Sequence, residues 1–158
     1  GKALLQHERS NIGSSIGRQP GSGQRELVEK ARHHLYWDGK RLEDAVMREK
    51  IAALGMEEEA FQLTLDRVAQ KAQAGGNPGA ESSILKVVAT ELKQARYELG
   101  QEIAGAAGLG WTGPGFSESD LEFTREWLRS RANTIEGGSS EIQRNIIAKR
   151  VLGLPDAK

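Results

Sequence analysis

The fold class is decided by residues 81–104, which read ESSILKVVATELKQARYELGQEIA. Apolar side chains recur in this segment at steps of four and three residues, at Ile84, Val88, Leu92, Ala95, Leu99 and Ile103. This spacing places them on one face of a helix with about 3.6 residues per turn. The segment is therefore predicted to be a long amphipathic helix over residues 81–104.

The preceding residues 41–74 repeat the same apolar pattern, but Gly55 and the acidic run at 57–59 interrupt it. The apolar positions are Met47, Ile51, Leu54, Phe61, Leu65, Val68 and Ala72. The pattern predicts either one long helix with a kink or two helices. Residues 75–79, Gly-Gly-Asn-Pro-Gly, favour the end of one helix and the start of the next, so an antiparallel helical hairpin is expected.

Two more helices are predicted towards the C-terminus. Ser117 with Asp120 three residues later resembles a capping box and predicts a helix over residues 118–134. After Gly137-Gly138, Ser139 or Ser140 can cap a last helix. Its apolar face would be Ile142, Ile146 and Val151, and it would end near Gly153 and Pro155.

The N-terminal part is predicted to hold a helix over residues 3–16, a Gly- and Ser-rich loop over 17–23 and a short helix over 25–36. Strand signals are nearly missing from the sequence. The predicted architecture is all-α, a four-helix bundle with additional short helices, and residues 1–158 are expected to form one domain.

The composition fits one soluble globular domain. The chain has 158 residues, 37% of them hydrophobic, with 22 basic and 22 acidic side chains and a formal charge of +0, so the broad positive field of a general nucleic-acid binder is missing. There is no cysteine, which excludes disulfides and thiolate chemistry and favours a cytoplasmic location. No apolar run approaches the roughly 18 residues of a membrane span. The first residues lack a Met and run into an apolar segment, which suggests a piece of a longer protein.

Composition and spacing alone indicate no catalytic centre. The three histidines are His7, His33 and His34, and an adjacent pair on a helix points about 100° apart, so no metal site is expected. Phosphate-binding glycine loops and nucleophile motifs are also missing.

A resemblance to a known family goes further. Residues 132–155 read ANTIEGGSSEIQRNIIAKRVLGLP and strongly resemble the C-terminal signature of the acyl-CoA dehydrogenase family, in which Gly-Gly-Thr/Ser-x-Glu-Ile-Gln-Arg leads into the last helix of the C-terminal helical domain. Residues 4–9, LLQHER, resemble the Glu-Arg segment at the head of that domain, and residues 82–86, SSILK, resemble its helical hairpin. The resemblance spans nearly the whole chain. Members also carry an N-terminal helical domain and a central β domain, which this chain lacks.

The resemblance implies α,β-dehydrogenation of an acyl-CoA thioester, in which a Glu removes the α proton and a hydride passes to N5 of FAD. Many members place this base five residues before the Ile of the signature, but here that position is Gly137. Glu8, directly before Arg9, matches the base of the long-chain and isovaleryl branches. Glu136, one residue from the usual position, stays an alternative, and Glu8 could instead be a solvated helix carboxylate.

Further residues match ligand contacts of the family. His7 and Arg9 match positions that line the acyl-CoA site, although either could lie on the surface. Contacts to the adenosine part of FAD are matched by Gly138, Ser139, Ser140 and Glu141, and free N–H groups at a helix start suit that role. The family also implies a tetrameric homo- or hetero-oligomer that passes electrons to an electron-transfer flavoprotein.

Two segments depart from the family pattern. The Arg-x-Thr/Gln-Phe-Gly motif, which reaches the FAD of a neighbouring subunit, is replaced by residues 37–42, WDGKRL, with Arg48 as a candidate substitute. Gln-x-x-Gly-Gly is replaced by residues 102–106, EIAGA, which puts a carboxylate where pyrophosphate would lie. These departures resemble a bacterial branch that acts on steroid side chains or other bulky acyl-CoAs. A non-catalytic subunit of a hetero-oligomer and an acyl-CoA oxidase are the alternative functions.

Overall fold

The computed structural model describes residues 22–76 and 79–155, so the predicted helix over 3–16 and the first residues of the predicted loop lie outside it. The helices are α1 (Ser22–His34), α2 (Ala45–Gln73), α3 (Glu81–Ala104), α4 (Glu118–Asn133) and α5 (Ser140–Ile146), with a 3₁₀ helix at Gly105–Leu109 and a π-helical turn at Ile147–Val151. The described residues contain no strand beyond one isolated bridge between Trp37 and Leu42. The prediction of an all-α bundle with additional short helices is confirmed.

Helix α2 is one continuous helix rather than two. Gly55 lies within it because α1 approaches closely there: a Cβ atom on Gly55 would lie 2.7 Å from the side-chain amide of Gln24. The glycine therefore serves packing and does not interrupt the helix. The predicted helix end is correct, since Gly75 adopts a φ of +84° and donates its N–H to the carbonyl of Ala72.

Helix α1 begins earlier than the sequence indicates, so the predicted loop is wrong at Ser22 and Gly23. Gly23 is buried, and a Cβ atom there would lie within 2.7 Å of the Glu58 carboxylate and the Arg96 guanidinium. These two side chains form an ion pair at 2.8 Å and are nearly buried. Glycine is required at this position because the ion pair packs directly against the backbone of α1.

The chain divides into two compact units. The described part of the first unit is 22–59 with 92–131, and that of the second unit is 60–76 and 79–91 with 132–155. In the first unit, Lys50 and Glu58 of α2 pair with Glu102 and Arg96 of α3. Since the earlier residue of α2 pairs with the later residue of α3, these two helices run antiparallel. In the second unit, Lys71 and Glu81 pair at 2.8 Å beside the loop that joins α2 to α3.

The first unit has a mainly apolar core. Its buried apolar side chains are Leu27, Ala31, Leu42, Met47, Ile51, Leu54, Leu92, Tyr97, Leu99, Ile103, Ala104, Leu121 and Phe123. The rings of Tyr97 and Phe123 meet edge to face with centroids 4.9 Å apart. A Cβ atom on Gly100 would lie 2.2 Å from the Phe123 ring, so glycine lets this ring pack against α3.

The second unit buries a polar face of α3. Ser82, Ser83, Lys86 and Thr90 are all buried in this part of the helix, whereas Ile84 and Val88 of the predicted apolar face are only half-buried. The predicted apolar face of the last helix differs similarly: Ile142 is 52% exposed, and the buried residues of α5 are Ser140 and Gln143. The polar face shows that this unit is built around hydrogen bonds as well as apolar contacts.

Asp120 is the buried carboxylate of the first unit and confirms the predicted capping box at the start of α4. Its N–H donates to the Ser117 hydroxyl, and its carboxylate accepts from that hydroxyl at 2.6 Å. Lys30 donates to the same carboxylate at 2.6 Å, and His34 lies 2.9 Å from it. Burial alone would raise the pKa of Asp120, but the hydrogen bonds from Lys30, Ser117 and His34 outweigh it and lower the pKa from 3.8 to about 2.

We predict that Asp120→Asn lowers the free energy of unfolding at pH 7 by about 2 kcal/mol, the equivalent of this pKa shift. Because the pKa is lowered in the folded state, the stabilisation is complete above about pH 4 and is lost as the pH falls towards 2. Denaturant unfolding between pH 2 and pH 7 measures this. The control is Asp66→Asn, because Asp66 is an exposed carboxylate that accepts a hydrogen bond from the side-chain amide of Gln62. Equal pH profiles of the two variants would contradict the prediction.

Candidate functional site

The candidate site is the glycine turn, residues 137–139, which joins α4 to α5 in the second unit. Gly137 and Gly138 both adopt positive φ angles, +68° and +102°, a region that side chains with a Cβ atom rarely enter. A Cβ atom on Gly138 would also lie 2.6 Å from Nε2 of Gln143. Both the backbone geometry and the close packing therefore require glycine.

Two buried side chains hold the carbonyls of this turn. Nζ of Lys86 donates to the carbonyl of Gly138 at 2.8 Å, and Nε2 of Gln143 donates to the carbonyl of Gly137 at 3.0 Å. A second, longer contact joins Gln143 to the carbonyl of Gly138 at 3.4 Å. Both side chains are 0% exposed. Since hydrogen bonds to a charged donor are among the stronger ones, Lys86 fixes the Gly138 peptide firmly.

Several buried polar atoms of the second unit have no hydrogen-bond partner in the described part of the chain. They are Oγ of Ser83, Oδ1 of Asn133, Oγ of Ser140 and Oε1 of Gln143. Leaving a buried polar atom unpaired costs about 1–3 kcal/mol. Two of the four belong to Ser140 and Gln143, which directly follow the turn, so the turn offers polar groups that a ligand could use.

Ser139 is the N-cap residue of α5, as predicted, but neither serine caps the helix through its side chain. Ser139 stands before α5, but its hydroxyl makes no cap hydrogen bond to the helix, and the Ser140 hydroxyl has no partner. The Ser139 hydroxyl instead bonds the Glu141 carboxylate. That bond, followed by the backbone N–H of Glu141 itself, lowers the pKa of Glu141. The carboxylate of Glu141 is thus ionised and held beside the turn.

Of the other predicted site residues, Glu136 can be described. It is half-buried and accepts a hydrogen bond from the side-chain amide of Asn133. Glu8, His7 and Arg9 lie outside the described residues. The four residues predicted to contact FAD lie together at the turn because they are adjacent in the sequence. They are Gly138, Ser139, Ser140 and Glu141.

Sequence reasoning missed Lys86, Gln143, Asn133 and Ser83 as parts of this site. A signal for one of them was present: a Lys flanked by Leu85 and Val87 in a predicted core helix, with Ser82 and Thr90 one turn away on the same side. Such polar spacing within an apolar helix indicates a buried polar face. Nothing in the sequence indicated which group Lys86 would contact.

The two family departures lie in the first unit. Arg48 donates to the carbonyl of Glu43 at 2.9 Å and also to that of Leu42, so it closes its own loop and is not the free guanidinium that a substitute cofactor ligand would need. Glu102 pairs with Lys50, and both side chains are about half exposed. This pairing offsets the negative charge of Glu102.

A cavity of about 380 Å³ lies in the first unit. Its lining residues are Gln24, Val28, Ala31, Trp37, Lys40, Arg41, Leu42, Arg48, Ile51 and Ala52. The charged members of this set are all basic. The lining of the cavity therefore combines apolar side chains with three basic ones, Lys40, Arg41 and Arg48.

The side chains of His33 and His34 on α1 lie close to that of Asp120 on α4, although adjacent residues on a helix point about 100° apart. One possible ligand atom from each falls within 4.8 Å of the others. The Asp120 oxygen concerned already accepts from Lys30 at 2.6 Å, and this ammonium would repel a metal cation. The cluster is therefore better explained as part of the packing of α1 against α4.

Comparison with known proteins identifies the class. A family model described as "Acyl-CoA dehydrogenase, C-terminal domain" matches residues 2–152. The chain belongs to the acyl-CoA dehydrogenase family. The acyl-CoA dehydrogenase IpdE1 of Mycolicibacterium smegmatis is 44% identical over 78 residues, 49% of this chain and 19% of that protein. The acyl-CoA dehydrogenase FadE34 of Mycobacterium tuberculosis is 30% identical over 112 residues, 71% of this chain and 14% of that protein.

Solved structures show the same helical fold. The structure titled "Tcur3481-Tcur3483 steroid ACAD" matches with a TM-score of 0.75 at 26% identity, over 97% of this chain and 38% of that chain. The ChsE4-ChsE5 complex from Mycobacterium tuberculosis matches with a TM-score of 0.67 at 27% identity, over 86% of this chain and 36% of that chain. The chain thus spans well under half the length of each of these relatives.

The residues of the glycine turn fit FAD, the cofactor that the family implies. Positive-φ glycines let a ligand approach the backbone closely, and the unpaired hydroxyl of Ser140 can donate to or accept from ribose or phosphate oxygens. No helix in the described ranges has the length and apolar character needed to cross a membrane.

We predict that Gly138→Ala destabilises the protein by about 2 kcal/mol, because the new methyl group meets Gln143 and the backbone keeps a strained φ. Urea unfolding followed by circular dichroism measures the change. Gly75→Ala is the matched control, since Gly75 has a φ of +84° but nothing within 4 Å of a Cβ atom. If both variants lose equal stability, the contact with Gln143 contributes nothing and only the backbone strain remains.

Proposed function

We propose that residues 1–158 are the C-terminal helical domain of an FAD-dependent acyl-CoA dehydrogenase. The observation that carries this proposal is the glycine turn: the residues that match the family's cofactor contacts lie at a glycine-dependent turn with unpaired buried polar atoms beside it in the described part of the chain. The family match over residues 2–152 supports the same assignment. Other parts of the complete enzyme would supply the rest of the cofactor and substrate sites.

In the proposed reaction, Glu8 removes the α proton of the acyl-CoA thioester. When bound, FAD supplies the hydride acceptor for the β hydrogen. A Glu base works near neutral pH only if burial raises its pKa, so Glu8 would have to lie in an apolar, water-poor slot. His7 and Arg9 would contact the acyl-CoA beside it. Gly138, Ser139, Ser140 and Glu141 would hold the adenosine part of the cofactor.

Glu136 is the alternative base. Its carboxylate accepts a hydrogen bond from the side-chain amide of Asn133 in the second unit. The family pattern favours Glu8, because Glu136 lies one residue from the position that the base usually occupies.

The names of the relatives suggest the substrate class and the partners. Since the matched structures include a steroid acyl-CoA dehydrogenase and a ChsE4-ChsE5 complex, we propose a bulky acyl-CoA as substrate. By the same reasoning the enzyme would form an oligomer with itself or with a related chain. An electron-transfer flavoprotein would be the electron acceptor.

A second candidate is a non-catalytic subunit that completes a partner's site. The observation that favours it is the basic cavity of the first unit, with Lys40, Arg41 and Arg48 on its rim. Glu102 in place of Gln and Ala106 in place of Gly further weaken the match to the family's cross-subunit FAD segment. In this alternative, the chain would contribute positive charge to a partner and hold no flavin of its own.

We predict that acyl-CoA bleaches the flavin of the complete wild-type enzyme under anaerobic conditions, and that Glu8→Gln retains FAD but loses the bleaching. The amide of Gln has nearly the shape of Glu but cannot accept the α proton. A panel of linear and steroid-derived acyl-CoAs, followed at the flavin absorbance band, measures this.

The control variant is Glu136→Gln, which should bleach at close to the wild-type rate. If Glu136→Gln loses the bleaching and Glu8→Gln keeps it, Glu136 is the base. A wild-type protein that holds no flavin when expressed alone would favour the non-catalytic subunit. Hydrogen peroxide formation under air would indicate an oxidase.

A further inference from the structure

The glycine turn is held by donors from two different helices. Lys86 reaches it from α3 and Gln143 from α5, and the two carbonyls that they bind belong to consecutive residues. Each donor is completely buried. The orientation of both peptide groups of the turn is therefore set by side chains and not by the regular hydrogen bonding of a helix.

The orientation of these carbonyls also determines where two N–H groups point. The chain contains no cis peptide bond among the described residues, and in a planar trans peptide the C=O and N–H groups point in opposite directions. The carbonyl of Gly137 shares its peptide with the N–H of Gly138, and the carbonyl of Gly138 shares its peptide with the N–H of Ser139. Both N–H groups are consequently directed away from Gln143 and Lys86.

These two N–H groups have no acceptor within the described residues. The next residue, Ser140, is only 7% exposed. Its buried hydroxyl also has no hydrogen-bond partner within the described residues. Two backbone donors and one buried hydroxyl thus stand free at the same turn.

We propose that Lys86 and Gln143 are positioning residues for FAD: they turn the two peptides of the glycine turn so that the N–H groups of Gly138 and Ser139 face acceptor oxygens of the adenosine half of the cofactor. This inference rests on the proposed function of the chain as a flavin-binding domain. It assigns Lys86 a role without any contact to the cofactor or to the acyl-CoA.

The burial of Lys86 supports a role beyond packing. Removing an ammonium group from water is costly unless strong hydrogen bonds replace the lost hydration. An apolar side chain of similar length, such as Met, would fill the same space without that cost. A charged donor at this position is explained if the orientation of the Gly138 carbonyl has to be held against other conformations of the turn.

The test is FAD binding by the apo form of the complete protein, measured by quenching of flavin fluorescence. Lys86→Met and Gln143→Met each remove one donor at nearly constant volume. We expect the Kd for FAD to rise about tenfold in Lys86→Met, because the N–H groups of the turn lose the orientation in which they bind the cofactor. A smaller rise is expected in Gln143→Met.

Thr90→Val is the matched control. Thr90 is fully buried one turn after Lys86 on α3, and its hydroxyl donates to the carbonyls of Lys86 and Val87 of its own helix. Thr90→Val should lower the melting temperature but keep the Kd for FAD within about twofold of wild type. It separates a general loss of stability from a loss of turn orientation.

Hydrogen exchange gives a second readout that packing alone would not change. In the wild type, FAD should slow amide exchange in the peptide covering residues 134–143, because the N–H groups of Gly138 and Ser139 acquire acceptors. The protection should be lost or reduced in Lys86→Met. If Lys86→Met does not fold, the Kd for FAD and the protection from exchange are measured on Gln143→Met.

Weaker FAD binding and lost protection in the folded Met variants, with an unchanged Kd in Thr90→Val, would support the proposal. FAD binding in both Met variants as tight as in Thr90→Val would overturn the positioning role and leave the proposed function intact. A wild-type protein that binds no FAD would overturn the proposed function and the positioning role with it.

Discussion

The hydrogen bond from Lys86 to the carbonyl of Gly138 is the contact on which the second unit depends. It links the middle of the α3 segment in this unit to the turn before α5, across 52 positions of sequence. Because the donor is charged and completely buried, losing this bond would cost far more than losing an exposed contact. The glycines at 137 and 138 and the buried Gln143 lie at the same turn and hold the peptide groups to which Lys86 is bonded.

The first unit is organised differently. Its core is apolar, and its two buried ion pairs, Lys30 with Asp120 and Arg96 with Glu58, each join neighbouring helices. Glycines at 23 and 100 allow an ion pair and an aromatic ring to approach the helix backbone. The two units therefore show two uses of glycine: close packing on a regular helix in the first unit, and a positive φ at a turn in the second.

Periodicity predicted the helices well because most of them bury an apolar stripe. Residues 81–104 form a helix with the predicted bounds, and the capping box at Ser117 and Asp120 marks the start of α4 correctly. Glycine misled the prediction at positions 23 and 55, since sequence alone cannot distinguish a glycine that ends a helix from one against which another side chain packs. For the site, the resemblance located residues 138–141, but Lys86 and Gln143 could not be assigned, because their partners are backbone carbonyls that carry no sequence signal.

The bond from Lys86 to a backbone carbonyl limits which segments of this domain can be exchanged with those of its relatives. The group that Lys86 binds is a main-chain oxygen, so no side-chain change at position 138 can repair the contact if residue 86 is altered. A chimaera that exchanges only residues 132–155 between two relatives would join one protein's turn to another protein's α3. Such an exchange is expected to preserve the turn only when the donor and recipient share a long cationic side chain at position 86. Residue 86 of α3 and residues 132–155 therefore have to be exchanged together.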